Sequence, residues 1–499
     1  MSSFHSDMRV VRRLRRCIAT FTIIVATTAM LSACRTAVAV RPAAIITAAQ
    51  PGRSAGNPEP TAMHDAQCTV RDVAGVVTEP EAVAPAASFD SAWSIIARTH
   101  WDTTYNGVNW RAVGDSLRPR ALEARTNAEL RGVLSELIAR LHQSHFAIFP
   151  GSDELPSDGN ARGERNAGIG ATVRLLDDQI VVTQVRGGGP AAKAGVHAGW
   201  TLDRVDGCAV AAFLQRTPSD ADPRRRALTA FRIADGMLRG ANGSSVSLQF
   251  RDGAGRVQRV ATAREAEPGT LTTFGNLPAI NSSLEFRTAE LGSARVGIIT
   301  FNVWMPIVAS QFDSAMDALH GVDAVVIDLR GNFGGVGGLS MRVAGHFLDS
   351  ARTIGTMRQR GFEMNFVANP RRVNTRAERV APFAGPLAIV VDELSISTSE
   401  IFAAGMQAIG RARVFGAQTS GQALPAVTEP LPNGDILYHA IADFRSPVGR
   451  PIEGEGVHPD DAVAITRRSL LAGRDPALDA AVRWAVSPAA QRSRVRLTR

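Results

Sequence analysis

Hydrophobic and polar positions change their period three times along the 499 residues. From Phe89 the repeat is helical: "FDSAWSIIARTHWD" puts Phe89, Trp93, Ile96 and Ala97 on one face. "TNAELRGVLSELIARLHQSHF" opens on a Thr/Asn cap and repeats Leu130, Leu134, Leu137 and Leu141 at helical spacing. Together they predict a helical module over 87–150. From Asn166 the runs shorten and alternate. "GIGATVRLLDDQIVVTQVRGGGPAAKAGVHAGWTLDRVDG" gives short alternating strands around Asp177-Asp178, a Pro-Ala start to a short helix, and a further strand leading to Asp206-Gly207. After a helix near 224–239, "GSSVSLQFRDGAGRVQRVATA" reads as a hairpin. The order predicts a small β-barrel decorated with helices, over 165–263.

From Ala294 the apolar runs become continuous. "ARVGIITF", "VDAVVIDL" and "PLAIVV" each precede a helical pattern, at 311–319, 339–348 and 400–409. Such runs mark strands buried on both faces of an α/β sheet. "GVHPDDAV" reads as a turn into a last strand, and "PALDAAVRWAV" as a last helix, so the core is expected over 285–485. The predicted fold class is α/β multidomain: a helical N-terminal module, a β-barrel domain and an α/β core.

Composition changes this picture little. A hydrophobic content of 45% is ample for buried cores, and the formal net charge is +8. Half of that excess lies before Cys34, in Arg9, Arg12, Arg13, Arg15 and Arg16 against Asp7. The remaining arginines are interspersed with acids, which argues against a nucleic-acid partner. The basic cluster precedes an apolar run, 18–30, and then "LSAC", the order of a secretory signal. A small-residue site ending in Cys34 resembles the bacterial lipobox. This predicts a signal peptide over 1–33, a lipidated Cys34, and membrane attachment on the periplasmic side; Arg35 after the cysteine favours the outer membrane. The alternative is ordinary cleavage near Ala33 or Ala39. An Ala-, Pro- and Gly-rich tether over 34–86 follows. Cys68 and Cys208 are left to pair or remain free.

Four segments carry candidate chemistry. In "PLAIVVDELSISTSEIFAAGMQAIG" a buried strand runs through a turn into a helix, and a serine at such a turn is held at the mouth of the sheet. Ser397 and Glu400 also satisfy the capping-box spacing, and on this segment alone the cap reading stands ahead of the nucleophile. "VVIDLRGNFGGVGG" follows a strand with Gly334 and Gly335, whose N–H groups can turn toward an oxyanion; it lacks the spacing of a nucleotide loop. "LIARLHQSHFAIF" has His142 and His145 three apart, which on a helix would share a side. No third ligand follows at recognisable spacing, so no metal and no cofactor is expected. "GRPIEGEGVHPDDAV" gathers Glu453, Glu455, Asp460 and Asp461, ordinarily a solvated acidic turn.

Taken in order, these segments resemble the C-terminal-processing (tail-specific) serine peptidases, tricorn-like branch, across about 89–465. "LHQSH" is similar to the family's Leu-x-x-Ser-His element, "GIGATV…GGPAAKAGVHAGW" to its permuted PDZ module, and "IDLRGNFGG", "SISTSE" and "IEGEGVHPD" to its core motifs. The resemblance implies a crotonase-like peptidase core and Ser397 as nucleophile. Where the Ser–Lys branch has a lysine, "GAQTSGQAL" has Gln422, and the single lysine, Lys193, sits in the PDZ-like segment. The tricorn-like branch uses histidine. By resemblance, His145 is the base, Ser144 and Glu453 complete a Ser-His-Ser-Glu tetrad, and Thr398 with Gly334 or Gly335 provides oxyanion donors.

Gly168, Ile169 and Gly170 would present N–H groups to a peptide's terminal carboxylate. Trp200 after Gly199, where the family has Gly-Asp, departs from that pattern. The implied partner is a polypeptide substrate, unfolded or tail-exposed, and relatives of this kind also form homo-oligomers. The rival reading is a catalytically silent peptide- or hydrophobic-ligand-binding lipoprotein on the same fold.

Overall fold

The computed structural model describes residues 82–151, 167–215, 222–273, 275 and 279–490. Cys34, Cys68, the signal segment and most of the tether lie outside the described residues. Cys208 is disulfide-bonded. No described helix is long and apolar enough to cross a membrane.

The N-terminal module has three helices, Pro85–Thr99, Trp110–Leu122 and Asn127–Ala139. Asn109 and Thr126 cap the second and third, each side chain accepting a backbone N–H of the first turn. Leu130, Leu134, Leu137 and Leu141 are fully buried with Phe89 and Ile96, and Leu431 and Leu437 from the far end of the chain join the same core. The Arg131–Asp435 ion pair, 2.9 Å, fastens the module to that later segment.

The middle module is an antiparallel sheet in the order Ala171–Leu176, Gln179–Val185, Thr201–Val205, Ser245–Arg251, Val257–Ala263, with Cys208–Ala209 beside the third strand. The expected barrel is corrected here: the sheet keeps two edges. The helix Pro223–Leu238 packs on the edge strand Ala171–Leu176, burying Ala230, Ala234 and Leu238 against Val173, Val182 and Leu248. Trp200 is accommodated against Phe250, the two rings tilted with 6.0 Å between centroids.

The C-terminal core is a six-stranded sheet in the order Leu284–Leu291, Ala294–Phe301, Ala324–Asp328, Leu387–Val391, Arg413–Gly416, Asp461–Ala462. The first pairing is antiparallel and the rest are parallel. Alternate residues serve opposite layers. Ile299, Val325, Ile327, Ile389 and Val391 face Phe312 and Phe402 on one side. Val296, Ile298, Val326, Ala388 and Val390 face Ala477, Ala481 and Ala485 on the other. This two-sided burial explains the unbroken apolar runs. Among the described residues there are four smaller antiparallel sheets; one pairs Ala147–Phe149 with Ile436–Ala440 and so ties the segment after His145 to that later strand.

Candidate active site

Ser397 follows the strand Leu387–Val391 and immediately precedes the helix Thr398–Ala408, with φ 57° and ψ −118°. A β-carbon at positive φ crowds the backbone, a cost of about 1–3 kcal/mol that surrounding structure must hold in place. Glu400 does much of the holding. Its fully buried carboxylate accepts N–H groups from Ser397 (3.0 Å), Gly421 (2.8 Å) and Gln422 (2.9 Å), and the Thr419 hydroxyl. Desolvation nevertheless pushes its pKa up to about 7, with these donors opposing. Gln422 participates through its main chain, its carbonyl accepting the Ser397 N–H at 2.8 Å.

The histidines do not share a helix side. The helix ends at Ala139, and both His142 and His145 have positive φ, 53° and 61°. His142 is exposed, whereas His145 turns inward toward the elbow. His145 Nε2 lies 3.2 Å from Ser397 Oγ, and Nδ1 lies 2.7 Å from Ser144 Oγ. Ser144 donates its hydroxyl to Glu453 Oε2 (2.8 Å) and its N–H to Oε1 (2.9 Å). The Ala423 N–H supplies a third donor to Glu453. The acidic turn therefore yields one inward carboxylate; Asp460 and Asp461 bond instead to Val414 and Arg413, away from the site. Desolvation lowers the His145 pKa to about 4, assisted by the Arg232 charge. Desolvation raises that of Glu453.

The glycine loop lies directly over the elbow. A β-carbon on Gly334 would come within 2.5 Å of Ser397 Cβ and 3.0 Å of Thr398 N, so this position admits only glycine. As a donor Gly334 is corrected: its N–H is already engaged by Asn332 Oδ1 at 3.0 Å. The N–H groups of Gly335 and Thr398 have no acceptor among the described residues, and the Thr398 hydroxyl donates to Gly335 O at 2.9 Å. Asn332, fully buried, also donates to Phe301 O and so fixes the loop to the sheet. Nothing in the sequence pattern singled it out. Tyr438 was also missed: its ring stands 5.8 Å from the His145 ring across the Ala147–Tyr438 pairing. Only a short alternating run, "ILYHA", hinted at that strand.

The Gly168–Gly170 segment is away from this constellation. Its three residues are buried, and Gly170 takes φ 68°. Glu267 Oε1 lies 2.3 Å from where a Gly168 β-carbon would stand, and Arg186 holds two buried guanidinium nitrogens without partners nearby. The module that contains it is nonetheless tied to the elbow. Arg174 donates to Asp392 Oδ2 from Nε (3.1 Å) and Nη2 (3.0 Å), while Asp392 Oδ1 accepts the N–H groups of Gly331 (2.9 Å) and Leu394 (3.1 Å).

Comparison with known proteins agrees with this architecture. The chain matches the model described as "Peptidase family S41" over 295–463 and "Tricorn protease C1 domain" over 84–139. It is 24% identical over 341 residues to a probable CtpA-like serine protease of Staphylococcus haemolyticus, covering 68% of this chain and 60% of that one. It is 24% identical over 376 residues to a carboxyl-terminal-processing protease of Picosynechococcus, covering 74% and 81%. Among solved structures, the photosystem II D1 C-terminal processing protease superposes with TM-score 0.52 at 20% identity, covering 82% of this chain and 98% of that one. Mature CPAF complexed with lactacystin gives 0.53 at 12% identity, covering 80% and 97%. Fold and matched domains define the class, a multidomain α/β protein of the serine-peptidase type. The chain carries a peptidase family S41 domain and a tricorn C1 domain, and it is similar to proteins named carboxyl-terminal-processing proteases.

Proposed function

We propose that the chain is a serine endopeptidase acting on unfolded or tail-exposed polypeptides, with Ser397 as nucleophile and His145 as general base. The observation that carries this reading is the 3.2 Å approach of His145 Nε2 to Ser397 Oγ on a strained elbow. Proton accounting supports it. Ser144 has one hydroxyl proton and, with Glu453 ionised, gives it to Oε2. Its oxygen must then accept from Nδ1–H, which leaves Nε2 unprotonated and facing Ser397. Glu453 thus orients the imidazole through Ser144, and its charge favours the imidazolium that forms.

Ser397 Oγ bonds to the scissile carbonyl carbon while its proton passes to Nε2. The oxyanion is met by the N–H groups of Thr398 and Gly335. Collapse breaks the C–N bond as His145 returns the proton to the leaving amine. Water then attacks the acyl-enzyme, giving its proton to Nε2, and Ser397 recovers that proton as the acid departs. Base catalysis of this type contributes about two to four orders of magnitude.

The same proposal reads the antiparallel module as a permuted PDZ domain and the core as crotonase-like. The positive φ of Gly170 and the unpartnered nitrogens of Arg186 support a peptide site at Gly168–Gly170. Lipidation of Cys34 and attachment at the periplasmic face of the outer membrane rest on the sequence pattern alone. The test is incubation of the full chain, beside Ser397→Ala and His145→Ala, with an unfolded protein bearing a free C-terminus. Cleavage by the unsubstituted chain alone supports the proposal. Three inert proteins that all bind the tail would favour the silent binder.

A further inference from the structure

The helix Pro223–Leu238 of the middle module is held against the core through Arg224, Leu228 and Phe231. At its first turn Arg224 Nη1 donates to the carbonyls of Thr419 (3.0 Å) and Glu455 (2.6 Å), and Nη2 to that of Gly454 (2.9 Å). Those carbonyls flank Glu453 and the turn that feeds N–H groups to Glu400. Two turns later Phe231 packs on Phe333, 5.5 Å between centroids, next to the glycine loop. Leu228 and Phe231 together bury Leu394. The docked side of the helix is therefore the series 224, 228, 231.

Arg225 and Arg232 are seven residues apart, so they project within about 20° of each other and about a quarter turn from the docked side. The neighbouring arginines are paired, Arg224 with Asp222 and Arg226 with Asp178. Arg225 and Arg232 are exposed and have no ion-pair partner among the described residues. Their charges are nevertheless felt in the site: Arg232 acts on His145, and Arg225 on Glu453. Desolvation also lowers the pKa of Arg232, whose side chain stays partly exposed.

We propose that Arg225 and Arg232 form a carboxylate-recognition site at the mouth of the Ser397 cleft. It selects polypeptides with a negative group close to the scissile bond (an acidic side chain or the chain's own terminal carboxylate). The inference rests on the peptidase reading of the same site. A guanidinium presents a fork of donors that matches a carboxylate. An uncompensated cation beside His145 opposes the imidazolium that must form during attack. A substrate carboxylate paired with Arg232 removes that opposition during proton transfer, so one charge slows neutral substrates and favours acidic ones.

The experiment measures kcat/KM of the full chain on three peptides of one sequence: amidated with Asn beside the scissile bond, amidated with Asp there, and Asn with a free C-terminus close by. The unsubstituted chain is compared with Arg225→Gln, Arg232→Gln and the double variant. The expected result is a preference of about tenfold for a negative peptide, falling with salt and lost in the double variant. Arg232→Gln should cleave the neutral peptide faster. The Asp and free-terminus arms show which carboxylate is read. A preference unchanged in the double variant overturns the proposal. Binding of the same peptides to Ser397→Ala by fluorescence anisotropy separates the two readings. If nothing is cleaved, the peptidase reading fails, while equal affinity for neutral and negative peptides overturns the arginine site by itself.

Discussion

Glu453 holds Ser144 twice, its Oε1 accepting the Ser144 N–H at 2.9 Å and its Oε2 the hydroxyl at 2.8 Å. The two bonds lock a serine that bridges carboxylate and imidazole, so Ser144 is a positioning residue in the proposed mechanism. Ser144→Ala should lower kcat by about ten- to a hundredfold with KM nearly unchanged, an effect of the size expected for losing the group that orients a base. Ser144→Thr, which keeps the hydroxyl, should recover part of it. Steady-state kinetics of both variants check this; a purely structural serine would move KM and thermal stability as well.

The pH profile follows from His145. Burial and the Arg232 charge push its pKa down to about 4 from the ordinary 6.5. The base must be neutral, so kcat/KM on a neutral peptide should hold as pH falls through 6.5 and drop only toward 4. A histidine at its ordinary value would lose about tenfold one unit below 6.5. Stability carries the same signature. The folded pKa is depressed, so below 6.5 the unfolded chain binds the proton first. The contribution of neutral His145 is fully present above 6.5 and is lost progressively toward 4. His145→Gln should flatten that part of the stability curve in urea titrations at several pH values.

Ser397 offers a test between cap and nucleophile that needs no substrate. Its positive φ carries strain that glycine relieves. Ser397→Gly should stabilise the chain by about 1 kcal/mol. A residue valued for its cap would lose a few tenths of a kcal/mol on the same change. Denaturant unfolding decides the sign.

Arg174 and Asp392 join the middle module to the loop that leads into Gly331. Both side chains are largely buried, so removing one leaves an uncompensated charge at a cost of about 3–5 kcal/mol. Arg174→Ala should therefore destabilise strongly and lower kcat, while Gln422→Ala, whose contacts near Ser397 are made by its main chain, should keep activity within about threefold. Parallel thermal and kinetic measurements on the two variants check the contrast.

Legibility of the fold in the sequence tracks burial. The strands Ala324–Asp328 and Leu387–Val391 are buried on both faces and were evident as continuous apolar runs. The helical module was evident from its leucine repeat and Thr126 cap. The strand pair Arg352–Gln359 and Phe362–Ala368 was not, because much of it is exposed and its pattern is mixed. The elbow at Ser397 was visible as strand, turn and helix, yet locally indistinguishable from a cap; its partner His145 lies 252 residues away. Contacts such as Arg174–Asp392, Arg224–Gly454 and Tyr438–His145 join residues separated by more than two hundred positions and leave no local periodicity. Gly334 and Gly335 look equivalent in sequence, and only the side chain of Asn332 separates them.

The central claim is that His145 activates Ser397. Its most direct measurement is the rate of covalent labelling by a fluorophosphonate, followed by intact mass and peptide mapping on the full chain. The account predicts one adduct, on Ser397, forming at least about a hundredfold more slowly in His145→Ala. Labelling elsewhere, or an equal rate at Ser397 without His145, would contradict it.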